Sequence, residues 1–126
     1  MIHSMAHPLS AEYNIHHGLA NALLIKFGLE FTISKAMESE NQSLLSKLEE
    51  IGDIISCNTL DDISYIPDIL NIYINNIGIS LGLSEYGILA ENVHHLANLA
   101  FKDSCHATHP FPLDRENFIE VYTQAL

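Results

Sequence analysis

The chain has 126 residues, 48% of them apolar, and carries 16 acidic against 5 basic residues, a formal net charge of −11. Phosphates and anionic lipids are bound by clustered lysines and arginines, so this composition excludes nucleic acid and an anionic membrane surface as partners. The length fits a single domain, residues 1–126, and no apolar run reaches the ~18 residues that a membrane-spanning helix needs.

Helical periodicity dominates the sequence, and no segment alternates as a strand does, which predicts an all-α fold of about six helices. The first helix is expected from Met1 to about Ser10, with a bend near Pro8. The second is expected from His17 to about Ser34. Because apolar residues cover nearly every face of this second segment, it is predicted to be the central and most buried helix. The polar stretch Glu38–Ser43 follows as a loop.

The third and fourth helices are separated by a polar break. Apolar residues at helical spacing predict a third helix from Ser43 to Ile55, and Asn58–Asp62 interrupts the pattern. Pro67 is best placed in a first turn, so the fourth helix should start near Ile66. It should continue to about Ile77.

The last third of the chain alternates loops and helices. The glycine- and serine-rich segment Asn76–Gly87 predicts a long loop, and a fifth helix is expected from Ala90 to Phe101. A second loop covers Asp103–Pro112. Asp114 is a favourable N-cap residue and predicts a final helix through Tyr122.

Two cysteines, Cys57 and Cys105, lie far apart in the sequence. This usage is typical of a reducing compartment rather than of a disulfide framework. We therefore expect two free thiols and a cytoplasmic location, and Met1 does not open a basic, signal-like segment.

Three of the eight histidines are spaced as metal ligands could be. His3 and His7 are four residues apart, which places both imidazoles on one face of a helix. His17 opens the next helix, and a helix–turn–helix of this length brings it close to His3. Imidazole is a favoured ligand of Zn²⁺ and Fe²⁺, but such a pair is more often exposed or held in a core. Ser4 stands where a zinc protease motif needs glutamate, which argues against proteolysis.

The remaining histidines have simpler interpretations. His94 and His95 lie on neighbouring faces of the fifth helix, so we expect one half-buried and one exposed ring. His106 and His109 flank a loop beside Cys105 and are an alternative set of zinc ligands, although a structural site would need a fourth ligand from elsewhere.

The residues around the first histidines resemble the motifs of a known enzyme family. The stretch H-S-M-A-H-P-L-S at 3–10 and H-G-L-A-N-A at 17–22 resemble the iron-containing (group III) alcohol dehydrogenase family. That family carries H-x-M-A-H-P-L-G followed by P-H-G-x-A-N-A. The resemblance continues through 83–87, 103–105 and 110–113 and covers essentially the whole chain. It implies a helical bundle like the C-terminal domain of the dehydroquinate synthase-like fold.

The resemblance also implies roles for individual residues. It makes His3 and His17 ligands of Fe²⁺ or Zn²⁺, and it places His7 beside the metal as the catalytic residue of a substrate or proton-relay network. The family's other two ligands, an Asp and a His on an earlier helix, have no counterpart in these 126 residues. The NAD(P)-binding domain has none either, so we expect no cofactor-binding residues here.

The implied function is NAD(P)-linked oxidation of an alcohol to an aldehyde or ketone. Without the missing ligands and cofactor domain, we expect the chain alone to be inactive and to need a separate N-terminal nucleotide-binding chain. The alternative is a non-catalytic helical remnant or interaction module that binds metal weakly. Ser4 and Ser10 replace frequent glycines, His16 replaces the usual proline, and His109 stands where the family often has Asn.

The resemblance implies neighbours for the apolar sides of the first two helices. In the family this domain packs against the nucleotide domain and earlier helices. If Met1–Leu9 and Gly18–Phe31 remained bare, the exposed apolar surface would be costly. We therefore expect the chain to bury this surface in a self-complementary dimer.

Overall fold

The computed structural model describes all 126 residues and contains six α-helices and no strand, which confirms the all-α prediction. The helices are α1 Ile2–Tyr13, α2 His17–Glu38, α3 Gln42–Ser56, α4 Ile66–Asn76, α5 Val93–Lys102 and α6 Arg115–Gln124. Short 3-10 segments lie at Ile63–Tyr65, Leu83–Tyr86, Ala90–Asn92 and Ser104–Thr108.

Side-chain caps fix two of the helix starts that the sequence predicts. Asp114 accepts a 3.0 Å hydrogen bond from the backbone N–H of Asn117, whose side-chain oxygen accepts one of 3.0 Å from the Asp114 N–H. His16 Nδ1 accepts from the Gly18 N–H at 3.2 Å, so this histidine caps α2 where the family usually has proline. The start of α2 at His17 is thereby confirmed.

Two helices are longer than the sequence indicates. α1 continues through Pro8 to Tyr13 instead of ending near Ser10. Pro8 lies inside α1, where it cannot supply the intrahelical hydrogen bond to the Ser4 carbonyl, and the helix nevertheless continues past it. α2 continues past Ser34 to Glu38, and an ion pair of 2.9 Å between Lys35 and Glu38 lies on this extra turn.

The main core holds 19 buried residues from α1, α2, α5, α6 and the segment that follows α4. Met5, Ala6 and Leu9 of α1 are completely buried in it, at 0% exposure. The expectation that the apolar side of Met1–Leu9 would be bare is therefore wrong, because α2 and α5 of the same chain pack against it. The opposite side of α1, with His3 and Glu12, is exposed.

A second, smaller core joins α2 to α3 and α4. It consists of Ile33, Ala36, Leu48, Ile63 and Ile66. α2 contacts α1, α3, α4 and α6, so its central position is confirmed. It is not the most buried helix in proportion, since seven of its 22 residues are buried against five of 12 in α1.

Close packing of α1 on α2 fixes the position of the first histidines. A Cβ at Gly28 would lie 2.7 Å from Cγ1 of Ile2, so only a glycine lets the two helices approach this closely. Ile2 directly precedes His3, and the contact therefore sets where this imidazole lies along α2. None of the six helices is both long and apolar enough to cross a bilayer.

Candidate metal centre

The structure brings His3, His7 and His17 together at one end of the bundle. The ring centroids of His3 and His17 are 5.3 Å apart, those of His7 and His17 also 5.3 Å, and those of His3 and His7 6.2 Å. His3 and His17 are exposed, while His7 is partly covered. The helix–turn–helix geometry inferred from the spacing is thus present, and the ligand roles stay a prediction.

The spacing of His3 and His17 fits two ligands of one metal ion. Imidazoles bound to a tetrahedral ion through nitrogens about 2.0–2.1 Å away have ring centroids roughly 5 Å apart. The Nδ2 amide of Asn21 lies 3.0 Å from Nε2 of His17 and donates to the His17 carbonyl at 2.8 Å. Since an amide NH₂ only donates, this Nε2 is unprotonated and accepts from Asn21, and Asn21 must turn away before the same lone pair can bind a metal.

A carboxylate from the far end of the chain holds His7. Oδ2 of Asp103 lies 2.7 Å from His7 Nδ1, and Oδ1 accepts from Ser4 Oγ at 3.1 Å and from the Cys105 N–H at 2.8 Å. Ser4 is completely buried. The His7 contact and the Cys105 N–H hold the pKa of Asp103 well below its ordinary range, so the carboxylate is ionised. It accepts from His7 Nδ1 and so orients the ring, as carboxylates next to metal-binding histidines do.

Sequence reasoning missed this role of Asp103. The residue lies 96 positions from His7 and was expected only as the start of a loop. The signal that could have found it is the inclusion of residues 103–105 in the family resemblance. The resemblance includes these residues but does not indicate which other residue Asp103 contacts.

Cys105 adjoins the same carboxylate. One donor atom each from His7, Asp103 and Cys105 lies within 4.8 Å of the other two. The neighbouring Asp103 carboxylate raises the pKa of Cys105. Cys57 and Cys105 are both exposed and unpaired, which confirms the prediction of free thiols.

The rings of His106 and His109 contact protein groups. Neither ring lies with Cys105 in a cluster that could hold a metal ion. His106 Nδ1 lies 2.5 Å from the Asp103 carbonyl, and its ring packs against Phe118 with centroids 5.5 Å apart. His109 Nε2 lies 3.2 Å from Thr32 Oγ1. The alternative in which His106 and His109 are zinc ligands is not supported, since protein groups hold both rings.

His94 and His95 are both exposed, so the expectation of one half-buried ring is wrong. The buried face of α5 consists of Val93, Leu96, Ala97 and Ala100. The two histidines both fall outside this face. His95 Nε2 pairs with Glu12 at 2.9 Å, and His94 makes no side-chain hydrogen bond.

Comparison with known proteins supports the same family. The description "Fe-containing alcohol dehydrogenase family, C-terminal" matches residues 1–126. Lactaldehyde reductase of Escherichia coli (strain K12) is 30% identical over 129 residues, which cover 99% of this chain and 32% of that protein. Alcohol dehydrogenase 4 of Saccharomyces cerevisiae (strain ATCC 204508 / S288c) is 24% identical over 126 residues, with 98% and 31% covered.

The fold is that of solved members. A crystal structure of 1,3-propanediol oxidoreductase matches with a TM-score of 0.79 at 23% identity, over 99% of this chain and 32% of that one. Alcohol dehydrogenase from Oenococcus oeni matches with the same TM-score of 0.79 at 22% identity. The chain thus spans about a third of the length of these relatives. It belongs to the Fe-containing alcohol dehydrogenase family and corresponds to the family's C-terminal, all-helical region.

Proposed function

We propose that this chain forms the metal-binding wall of an NAD(P)-linked alcohol dehydrogenase that oxidises an alcohol to an aldehyde or ketone. In this proposal His3 and His17 are two ligands of Fe²⁺ or Zn²⁺, and His7 is the catalytic residue of the proton relay. The observation that carries the proposal is the exposed imidazole cluster, with His17 centred 5.3 Å from each of the other two rings.

The chain's residues have separate tasks in this chemistry. His3 and His17 would hold a divalent metal, which would supply a Lewis acid for the alcohol oxygen. The Asp103 carboxylate fixes Nδ1 of His7 at 2.7 Å. This leaves Nε2 of His7, whose ring stacks near His17, as the atom that takes up or returns the proton of the substrate hydroxyl.

We propose that NAD(P) is bound by a dinucleotide-binding domain outside these 126 residues, in the same polypeptide or in a separate chain. Support comes from the all-helical fold, since dinucleotide-binding folds are built on a mainly parallel sheet. Residues 1–126 alone are then inactive, because cofactor, metal and substrate must share one cleft. Two exposed free thiols favour a reducing compartment such as the cytoplasm.

Titration with Co²⁺ tests the ligand assignment in a chain with Cys57→Ser and Cys105→Ser, in which no thiolate contributes. The visible ligand-field absorption of bound Co²⁺ reports occupancy. We expect His3→Ala and His17→Ala each to weaken binding at least tenfold, as the loss of one of few ligands should. His94→Ala is the matched control, since His94 is exposed and lies outside the cluster. Equal affinity in all four chains would contradict the proposal.

A chimera tests the activity. The chain replaces the matching third of E. coli lactaldehyde reductase, and the rest of that protein supplies the regions that residues 1–126 lack. We expect alcohol-dependent reduction of NAD⁺ that is lost in His3→Ala and retained in His94→Ala, and none by residues 1–126 alone. A folded, metal-loaded chimera without activity would contradict the proposal, as would His3-dependent turnover by the isolated chain.

We also propose that a second copy of the chain covers an apolar face on α3 and α4. This α3–α4 face consists of Ile54, Ile55, Ile69, Leu70, Ile72 and Tyr73. Ile54 is 74% exposed, Ile72 61% and Tyr73 63%. Residues 69–84 contain no charged side chain in a chain of net charge −11, so two copies can meet along this part of α4 without bringing carboxylates together, whereas Asp53 adjoins Ile54 on α3.

A further inference from the structure

The cluster of His7, Asp103 and Cys105 has the composition of a metal site and is not part of the proposed His3–His17 site. It combines an imidazole, a carboxylate and a thiol, which are the three side-chain types that bind Zn²⁺ in proteins. Their donor atoms lie within 4.8 Å of one another. The metal ligands proposed above, His3 and His17, take no part in this cluster. His7 and Asp103 also belong to the proposed proton relay, so an ion bound here would replace the Asp103–His7 contact and block that relay.

Hydrogen bonds within the protein hold the Asp103 carboxylate in position without a metal ion. Oδ1 is anchored by the buried Ser4 hydroxyl at 3.1 Å and by the Cys105 N–H at 2.8 Å. Oδ2 has only His7 Nδ1 as a partner, at 2.7 Å. Oδ1 therefore holds the group in place, and Oδ2 can bind an ion once its contact with His7 opens.

Small movements convert this arrangement into a coordination shell. Nitrogen and oxygen ligands about 2.0–2.2 Å from a tetrahedral ion, and sulfur about 2.3 Å from it, are separated by roughly 3.3–3.6 Å. His7 and Asp103 must move apart by a fraction of an ångström from their 2.7 Å contact. Cys105 is exposed, so its side chain is free to turn toward them, and solvent supplies a fourth ligand.

We infer that His7, Asp103 and Cys105 form a second divalent-metal site, which takes a thiophilic ion such as Zn²⁺, Cd²⁺ or Co²⁺. The ion bonds to Sγ of Cys105, whose proton passes to the buffer, and to Oδ2 of Asp103. It also bonds to Nδ1 of His7, whose proton moves to Nε2 through solvent. One proton is released for each ion bound, and no group is oxidised or reduced.

Alkylation of the unmodified protein tests this site without any substitution. The two exposed cysteines serve as target and internal control. With Cd²⁺ present under non-chelating reducing conditions, we expect iodoacetamide to modify Cys57 at the same rate as without metal and Cys105 at least tenfold more slowly, measured by peptide mass spectrometry. Equal rates for Cys105 with and without saturating Cd²⁺ would overturn the inference.

Spectroscopy with Co²⁺ identifies the ligands and separates the two sites. We expect a near-ultraviolet thiolate-to-Co²⁺ band in the wild type that is retained in Cys57→Ser and absent in Cys105→Ser. His7→Ala should weaken it at least tenfold, and His94→Ala should not. The band should survive in His3→Ala, whatever the fate of the dehydrogenase proposal. A band that disappears in His3→Ala would show one shared site and overturn the inference, as would a band that requires Cys57.

Discussion

Tyr122 of α6 donates a hydrogen bond of 2.6 Å from its phenol to the backbone carbonyl of Met5 in α1. Both residues are completely buried, and burial raises the pKa of Tyr122 above its ordinary value. The bond joins the last helix to the helix that carries two of the clustered histidines.

Tyr122→Phe removes this bond and little else. We expect the free energy of unfolding to fall by about 1–2 kcal/mol, since a buried carbonyl loses a partner while the ring keeps its packing. Urea unfolding followed by circular dichroism measures the change. Tyr65→Phe is the matched control, because Tyr65 is exposed and makes no side-chain hydrogen bond, and its stability should stay within about 0.5 kcal/mol of the wild type.

His109 makes stability depend on pH. Burial lowers the pKa of His109 from its ordinary 6.5. Thr32 Oγ1 donates to the Gly28 carbonyl at 2.7 Å, so it accepts from His109 Nε2–H at 3.2 Å. The unfolded chain binds a proton at a higher pH than the folded chain does. The stabilising contribution is therefore complete above about pH 6.5 and is lost as the pH falls toward the lower, folded-state pKa.

His109→Asn should remove this dependence, since an amide forms hydrogen bonds without titrating. Urea unfolding at about pH 7 and about pH 5 compares the variant with the wild type. We expect a smaller loss of stability on acidification in the variant. His94→Asn, at an exposed position, should behave as the wild type does. If His109→Asn loses as much stability as the wild type, His109 is not responsible.

Gly28→Ala tests the close approach of α1 and α2. The new Cβ would lie 2.7 Å from Ile2 Cγ1. Such overpacking costs roughly 1–3 kcal/mol, which exceeds the gain of about 1 kcal/mol in helix propensity. We expect lower stability, because Ile2 must move away from the new methyl group. We also expect weaker Co²⁺ binding, because a displacement of Ile2 displaces the adjacent His3. Ile2→Ala should remove most of the effect of Gly28→Ala, and additive effects in the double variant would refute the contact.

The α3–α4 face should determine the oligomeric state. Light scattering should report twice the 14.1 kDa of one chain for the wild type. Ile72→Glu should give the monomer, because it places a carboxylate within the apolar face. Leu89→Glu should remain dimeric, since Leu89 is 54% exposed and lies outside that face. A wild type of 14.1 kDa at tens of micromolar would refute the dimer.

Helix starts and the histidine cluster were predictable because short-range rules determine them. Asp114 caps α6 by accepting a hydrogen bond from the N–H three positions later. His3 and His7 share a face of α1 because they are four residues apart. The short connection after α1 leaves His17 little freedom. Each of these relationships depends on neighbours within about four residues or on one tight turn.

Relationships between distant segments were not predictable in this way. Asp103 meets Ser4 across 99 positions, and no periodic pattern links them. The same holds for the packing of apolar faces. Met5 and Ile72 both lie on apolar stripes, yet Met5 is interior and Ile72 is exposed. Composition shows that apolar surface exists, and only the tertiary arrangement decides which part of it the chain covers.

Both cores include residues of α2, and the parts of the molecule that they hold should differ in the free energy of local unfolding. α3 and α4 are held by the five-residue core, whereas α1, α5 and α6 are held by the 19-residue core. Local unfolding costs less where fewer apolar contacts are lost, so α3 and α4 can separate from α2 while the histidine end stays folded. Amide hydrogen exchange should therefore be faster in α3 and α4 than in α1 and α6. Sequence changes that loosen this pair are then tolerated without disturbing the histidine cluster.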